Sequence, residues 1–390
     1  MHTSQGHAGT LHRESQFVFR YADQALERPE LAISLTMPPR PDGYRANVIP
    51  PVLAMNLPEG FLLDRVSHRY RKVMDVADDM NLLALTSAPT AGRVWARSPD
   101  GNADAAGPAI SLRKLLAAPG TEALFDELIE RYATPISGVQ PKVVVPEQRP
   151  AQRSGSTIER AAIHAPDLIV KAAGVEYQGL AENEFLCMSV AKETGLEVPE
   201  FWLSDDRNVF VIRRFDVGPD GHYLGFEDMA SLMGRHPRDK YDASYSMVAR
   251  AIGDFCASVH VPLSLERFYR QLVFCCLVRN GDAHLKNWGL LYGHPGTAAD
   301  DARLSPVYDL VCTTVFLPRD TLALGLGGTK SWPDRERLEK FGREHCSMDA
   351  PGSVIDEMAE RALAFKPASR TRMWQAIRKQ LETSAKSLGL

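Results

Sequence analysis

Asp282, Asn287 and Asp309 are the three side chains of this chain whose types and spacing best fit a single chemistry, the transfer of a phosphoryl group. That reaction needs little covalent help from a protein. It needs a carboxylate to orient the attacking hydroxyl, and oxygen ligands for magnesium beside the transferred group. Asp282 and Asn287 lie in Arg279-Asn280-Gly281-Asp282-Ala283-His284-Leu285-Lys286-Asn287, and Asp309 follows in LSPVYDL. Asn-Gly-Asp is also an ordinary turn sequence, in which Asp and Asn bond their own backbone. The flanks favour more than a turn: FYRQLVFCCLVRN reads as a buried helix and WGLLY as a short apolar run, so six polar or charged side chains are crowded into nine residues between two core segments. Lys286 has the charge to neutralise phosphate and is a candidate catalytic residue. His284 reads first as a hydrogen-bonded loop histidine and second as a nucleotide contact.

The D-x-x-x-x-N interval from Asp282 to Asn287 repeats that of protein-kinase catalytic loops, and Asp309, in Tyr-Asp-Leu, stands where D-F-G carries its metal aspartate. The HRD and DFG spellings themselves are absent. Such a site requires a loop that grips phosphate and a lysine that anchors it, and both have candidates upstream. Ser137-Gly138-Val139-Gln140-Pro141-Lys142 runs into Val143 to Val145, a small-residue loop entering a β-branched strand, where backbone N–H groups can approach phosphate oxygens. Asp167-Leu168-Ile169-Val170-Lys171 is a short apolar strand ending in a cation, placed as the lysine that holds the α- and β-phosphates is placed in kinases. A lysine closing an edge strand is also, commonly, a solvated end. Next comes a helical segment from Leu180 to Thr194. Its early acids, Glu182 and Glu184, complement a helix N-terminus, or Glu184 pairs with Lys171.

Taken in order, these segments resemble the HipA-type serine/threonine kinases, the toxin halves of bacterial toxin–antitoxin pairs. SGVQPK is similar to the family's G-x-Q-x-K phosphate loop, LIVKAA to its ATP-lysine strand, and ENEFLCMSVAKETGLEVPE to its helix and G-L-x-V-P turn. VFVIRRFD is similar to its hinge strand, FEDMASLMG to its E-D-M segment, NGDAHLKN to its catalytic loop, LSPVYDL to its metal aspartate, and TLALGLGG to its late strand. Upstream, ISLTMP and PPVLAMNLPEGFLLDRV resemble its N-terminal subdomain. The resemblance implies an α+β, protein-kinase-like two-lobed fold: a mixed β/α ATP lobe and a mostly helical C-terminal lobe, with a small α/β N-terminal subdomain. It also implies ATP and Mg2+ as cofactors. Asp282 then orients the substrate hydroxyl, Asn287 and Asp309 bind the metal, and Lys171 contacts the nucleotide phosphates. Ser137, Gly138, Val139, Gln140 and Lys142 line the phosphate loop, and the hinge from Arg213 to Phe215 offers backbone groups to adenine. Arg213 stands where family members often have Glu, so an adenine contact there rests on backbone. Ser137, and after it Thr134, are candidates for autophosphorylation that would eject the loop. The implied partners are a small HipB-like helix-turn-helix antitoxin, which carries the DNA contact, and a protein substrate of the translation machinery such as an aminoacyl-tRNA synthetase. Other readings are a regulatory partner of that antitoxin with little kinase output, a small-molecule kinase of the aminoglycoside or choline type, and a pseudokinase. Intact Asp282, Asn287, Asp309 and Lys171 argue against the last, and the L-P-E-G region against the small-molecule kinase.

Composition fits a cytoplasmic globular enzyme: 390 residues suffice for two or three domains, and 44% apolar with 24% charged content is ordinary. A formal charge of −4 argues against direct nucleic-acid binding by the whole chain. The six cysteines lack C-x-x-C spacing and read as reduced core residues. No segment approaches the roughly 18 to 20 apolar residues of a membrane span. We divide the chain into a disordered tail over 1–16, an N-terminal subdomain over 17–132 with FVFRYADQ and ELAISLTM as strands, an ATP lobe over 133–216 and a helical catalytic lobe over 217–390. Surface connections are expected over 98–110 and 146–157. The N-terminal subdomain is expected to dock a partner and to take no part in the chemistry.

Overall fold

GTLHR and FVFRY are short runs whose apolar residues can share one face, and each makes a strand. In the computed structural model, which describes residues 1–72, 74–84, 91–97, 108–120, 122–132, 142–148, 166–172, 177–218 and 220–390, Gly9–Arg13 pairs antiparallel with Phe17–Tyr21, Leu11 opposite Phe19. Tyr44–Ala46 completes that sheet. A second small sheet orders Gly6–His7, His2–Thr3 and Val94–Trp95. The first sixteen residues are therefore not the disordered tail expected from their polarity. Their side chains are polar on average, yet Ala8 and Leu11 are buried against a core of Phe19, Leu31, Ile33, Ile49 and Leu53, and the Met1 ammonium donates to the Gly9 carbonyl at 2.6 Å. ELAISLTM is not a strand either. Pro29–Leu31 is a 3-10 turn, and the backbone around it is claimed by distant side chains: the Ala32 carbonyl accepts from Arg93 and the Leu35 N–H donates to Glu227.

The ATP lobe follows from short continuous apolar runs, the pattern of strands buried on both faces. Four antiparallel strands lie in the order Lys142–Pro146, Pro166–Ala172, Val209–Arg213, Phe201–Leu203. Alternate residues point to opposite faces, so Val143, Val145, Leu168, Val170, Val209 and Val211 cover Leu115, Leu128 and Tyr132 of the preceding helices, while Ile169, Phe210 and Ile212 meet the helix Leu180–Glu193 on the other face. The Lys171 strand is thus interior, not an edge. Lys171 shares the helix-facing side with Ile169, directly opposite Lys142. Of the connections expected over 98–110 and 146–157, residues 98–107 and 149–157 lie outside the described residues, and Ile110 bridges to Glu147.

The C-terminal lobe is built on Val261–Val278, a helix whose last eight residues are all buried and which packs against Tyr245–Phe255, Arg335–Cys346, Pro351–Ala364 and Arg372–Ser387. A three-stranded sheet, Gly225–Asp228, Gly289–Tyr292 and Arg303–Leu304, meets the same helix through Arg303–Leu304. All six cysteines are buried and free. The fold is α+β, as expected, and no helix among the described residues is long and apolar enough to cross a membrane.

Candidate active site

The central helix ends at Arg279, whose left-handed backbone (φ 59°) turns the chain out of the core. Asn280 Oδ1 accepts from the Asp282 N–H at 3.0 Å, and the Gly281 N–H donates to Thr313 Oγ1 at 2.8 Å. Asn287 Nδ2 donates to the Asp282 carbonyl at 2.8 Å, which closes the loop on itself. Tyr308 Oη reaches the Lys286 carbonyl at 2.8 Å and so ties the loop to the segment of Asp309. The Asp282 carboxylate remains partly open to solvent (44% exposed) and accepts from Tyr241 Oη at 2.6 Å. Burial pushes its pKa up to about 6, against the pull of the Tyr241 hydrogen bond. His284 is buried, and burial together with the Lys240 charge drives its pKa down to about 3. It is a neutral imidazole near neutral pH, standing edge-on to the Tyr241 ring at 5.0 Å.

Across the cleft, Lys171 Nζ lies 2.5 Å from Glu184 Oε1 and 2.7 Å from Asp309 Oδ1. This single ammonium joins the interior strand, the helix and the C-terminal lobe. Burial disfavours its charge, but two carboxylates more than reverse that and keep it protonated. Burial likewise opposes ionisation of Asp309, and Lys171 and Lys142 overcome it, holding Asp309 well below the ordinary carboxylate range. Glu184 is wholly buried, and burial raises its pKa. Its Oε2 is one of the buried side-chain atoms without a hydrogen-bond partner among the described residues. Asp309 adopts φ 59°, a conformation Asp tolerates better than most residues. The chain beyond it is held by Asn183, whose Oδ1 accepts from the Cys312 N–H at 2.8 Å.

Lys142 joins this group as well; burial lowers its pKa to about 8, opposed by the Asp309 charge. Arg213 does not join it. Its guanidinium is held by Glu200, Glu147 and Asp167 at 2.6, 2.9 and 3.3 Å, and its N–H donates to the Glu200 carbonyl. The Arg214 N–H is committed to the Asp167 carbonyl. Two of the hinge donors expected to face adenine are therefore already used. Phe215 packs against Phe226 and Tyr308, centroids 5.3 and 5.4 Å away. Thr134, Ser137, Gly138, Val139 and Gln140 lie outside the described residues. Among the described residues no group of three or more His, Cys, Asp or Glu could hold a metal ion alone. Asp309 and Asn287 suit magnesium, which is commonly bound through one or two protein carboxylates plus substrate phosphates.

The family model described as the HipA N-terminal domain matches residues 1–97, and the HipA-like C-terminal domain matches residues 134–366. The chain belongs to the HipA family. A chain of the Shewanella oneidensis complex of HipA, HipB and operator DNA shares the fold with a TM-score of 0.72 over 98% of this chain and 95% of its own, at 17% identity. Two curated relatives bear names beginning "Putative kinase". Y4dM of Sinorhizobium fredii is 35% identical over 56% of this chain and 54% of its own length, and a Haemophilus influenzae protein is 31% identical over 38% and 46%. The matches span about half the length of these relatives.

Within this HipA-family fold, four residues that sequence reasoning passed over stand at the site: Tyr241, Lys240, Glu59 and Asn183. Tyr241 sits on Asp282. Lys240 and Lys286 both meet Glu59, the former at 3.2 Å. Glu59 belongs to the LPEG segment, so the N-terminal subdomain, expected to dock a partner and to take no part in the chemistry, touches the loop that carries Asp282. LPEG was visible as a turn opening the helix Gly60–Tyr70, but nothing in its spelling says that the glutamate points into another lobe. Asn183 was hidden in ENEF between two acids that drew attention for their charge.

Proposed function

We propose that this chain is an ATP- and magnesium-dependent kinase that transfers the γ-phosphoryl group to a serine or threonine hydroxyl. The observation that carries the reading is the Lys171 bridge to Glu184 and Asp309, with the partly open Asp282 on the loop that Tyr308 ties to the Asp309 segment. In this reading Lys171 holds the α- and β-phosphates, while Lys142 and Lys286 bring further positive charge to the nucleotide. Asp309 and Asn287 hold magnesium, which when bound neutralises charge between the β- and γ-phosphates. Asp282 accepts a hydrogen bond from the acceptor hydroxyl, aims its oxygen at the γ-phosphorus and receives its proton late. Positioning supplies most of the acceleration. Asp282→Asn is expected to keep Mg-ATP binding and lose at least 100-fold in transfer, in line with the order of magnitude for a general base. Asp309→Asn should instead weaken Mg-ATP binding. Calorimetric titration of both variants, with mass-spectrometric mapping of phosphate after incubation with Mg-ATP, tests the assignment; equal loss of binding in both would overturn it.

The likeness to a chain crystallised with HipB and operator DNA supports a partner of the same kind: a small helix-turn-helix protein that docks on this chain and carries the DNA contact. The expected output is growth arrest through phosphorylation of a translation component such as an aminoacyl-tRNA synthetase, in the cytoplasm, with Ser137 as the site of self-modification. Copurification of tagged chain with the products of adjacent reading frames tests the partner. Recovery of the chain alone would count against it.

A further inference from the structure

Glu59 occupies the position before the helix Gly60–Tyr70 in an extended conformation (φ −131°, ψ 164°), and its side chain makes no capping bond to that helix. Its carboxylate crosses to the C-terminal lobe. There it meets the Lys286 ammonium in the catalytic loop and the Lys240 ammonium at 3.2 Å. The three side chains are largely buried, 20% exposed for Glu59 and 10% for each lysine. Two ammonium groups brought together out of water repel each other, and a carboxylate between them turns that repulsion into attraction.

Both lysines lead directly to the residues of phosphoryl transfer. Lys286 lies between His284 and the proposed metal ligand Asn287. The Lys240 carbonyl accepts from the Leu285 N–H at 3.1 Å, and the next residue, Tyr241, donates to Asp282 Oδ1. Docking of the N-terminal subdomain has other fastenings: Ser34 and Leu35 on Glu227, the Gly92 N–H on Asp216 at 2.5 Å and Ser4 on the Tyr223 carbonyl. Glu59 adds to these the contact that reaches the catalytic loop itself.

We propose that Glu59 is a positioning residue for phosphoryl transfer, fixing the Lys286 ammonium and, through Lys240 and Tyr241, the orientation of Asp282. The N-terminal subdomain is then part of the catalytic unit. This rests on the kinase reading above. A positioning residue alters the turnover step more than nucleotide binding. Glu59→Gln should lower kcat for γ-phosphate transfer, to the protein itself or to water, about 10- to 100-fold, the scale on which small misplacements act. KM for Mg-ATP should change less than threefold, and Glu59→Asp should recover part of kcat. Because Glu59→Gln removes a carboxylate that two buried ammonium groups meet, the charge-balanced Glu59→Gln/Lys240→Gln protein is measured beside it, each checked by thermal melting. A double variant that melts like the wild type yet stays slow supports positioning. Wild-type kcat in a well-folded Glu59→Gln protein, or recovery of kcat with stability in the double variant, overturns it. A wild-type protein with no Asp282-dependent transfer sinks the kinase reading and this inference with it, whereas an active wild type matched by Glu59→Gln sinks this inference alone.

Discussion

Tyr241 makes the contact with Asp282 that the acceptor hydroxyl would also need. The carboxylate has two oxygens, and the phenol at 2.6 Å takes Oδ1, which in the proposed reading leaves the second oxygen for the acceptor. Hydrogen bonds to charged groups are worth about 1.5–3 kcal/mol when buried. Here Asp282 is 44% exposed, and water can replace part of the bond. Tyr241→Phe is therefore expected to slow transfer by about tenfold, on the order of 1.4 kcal/mol in the barrier. KM for Mg-ATP should hold. A variant with unchanged kcat would show that the phenol merely occupies space.

At the scale of elements, the loop from Arg279 to Asn287 is held by groups that take no part in the proposed chemistry. Its entry is the left-handed Arg279 at the end of the buried helix, and its middle is pressed against the segment around Asp320. A Cβ added at Gly281 would overlap the Asp320 carboxylate and the Thr321 carbonyl, and the backbone oxygen cannot move aside cheaply. Gly281→Ala should displace Asp282 and reduce kcat by roughly 100-fold, the loss a shift of about 1 Å produces in oriented reactions. In the proposed reading, ATP binding through Lys171, on another lobe of the site, should suffer much less. Steady-state kinetics with ATP as the varied substrate separates the two effects, and an equal loss in kcat and in affinity would contradict this account of the loop.

Across the whole molecule, Glu227 is a buried fastening between the N-terminal subdomain and the C-terminal lobe. Its carboxylate accepts from Tyr292 Oη at 2.6 Å, Ser34 Oγ at 2.7 Å, the Leu35 N–H at 2.8 Å and Ser231 Oγ at 3.2 Å. Burial raises its pKa, and these donors oppose the rise. Glu227→Ala strands a backbone N–H and three hydroxyls, and should destabilise the protein by about 3 kcal/mol or more at the usual penalty of 1–3 kcal/mol per unsatisfied buried group. Glu227→Gln should be far milder, because serine hydroxyls can turn to accept from the amide. Thermal unfolding of the two variants checks the ordering; a Gln variant as unstable as the Ala variant would mean that the carboxylate charge, facing the buried Arg93, is what matters.

Local order carried much of the reading. Short apolar runs such as VVV and LIVK and the long buried helix before Asn280 depend on side-chain chemistry within a few residues, so strands, helices and the polar loop between them were legible in the chain. So was the α+β class. The same locality explains the failures. Residues 1–16 are polar on average, and only pairing with Phe17–Tyr21 and burial on a core drawn from residues 17–96 make them strands. ELAISLTM has strand-like residues, but Glu227 and Arg93, far along the chain, take its backbone groups. The Lys171 strand reads as an edge until the Lys142 and Val209 strands are laid on either side of it. The sequence by itself determined which residues could do the chemistry, because type and short spacing are properties of one segment. The tertiary structure alone decided what holds them: Glu59 on Lys286, Tyr241 on Asp282 and Asn183 on the Cys312 N–H are contacts between segments distant in the chain, and an ion pair or hydrogen bond of that kind leaves no trace in the periodicity of either partner.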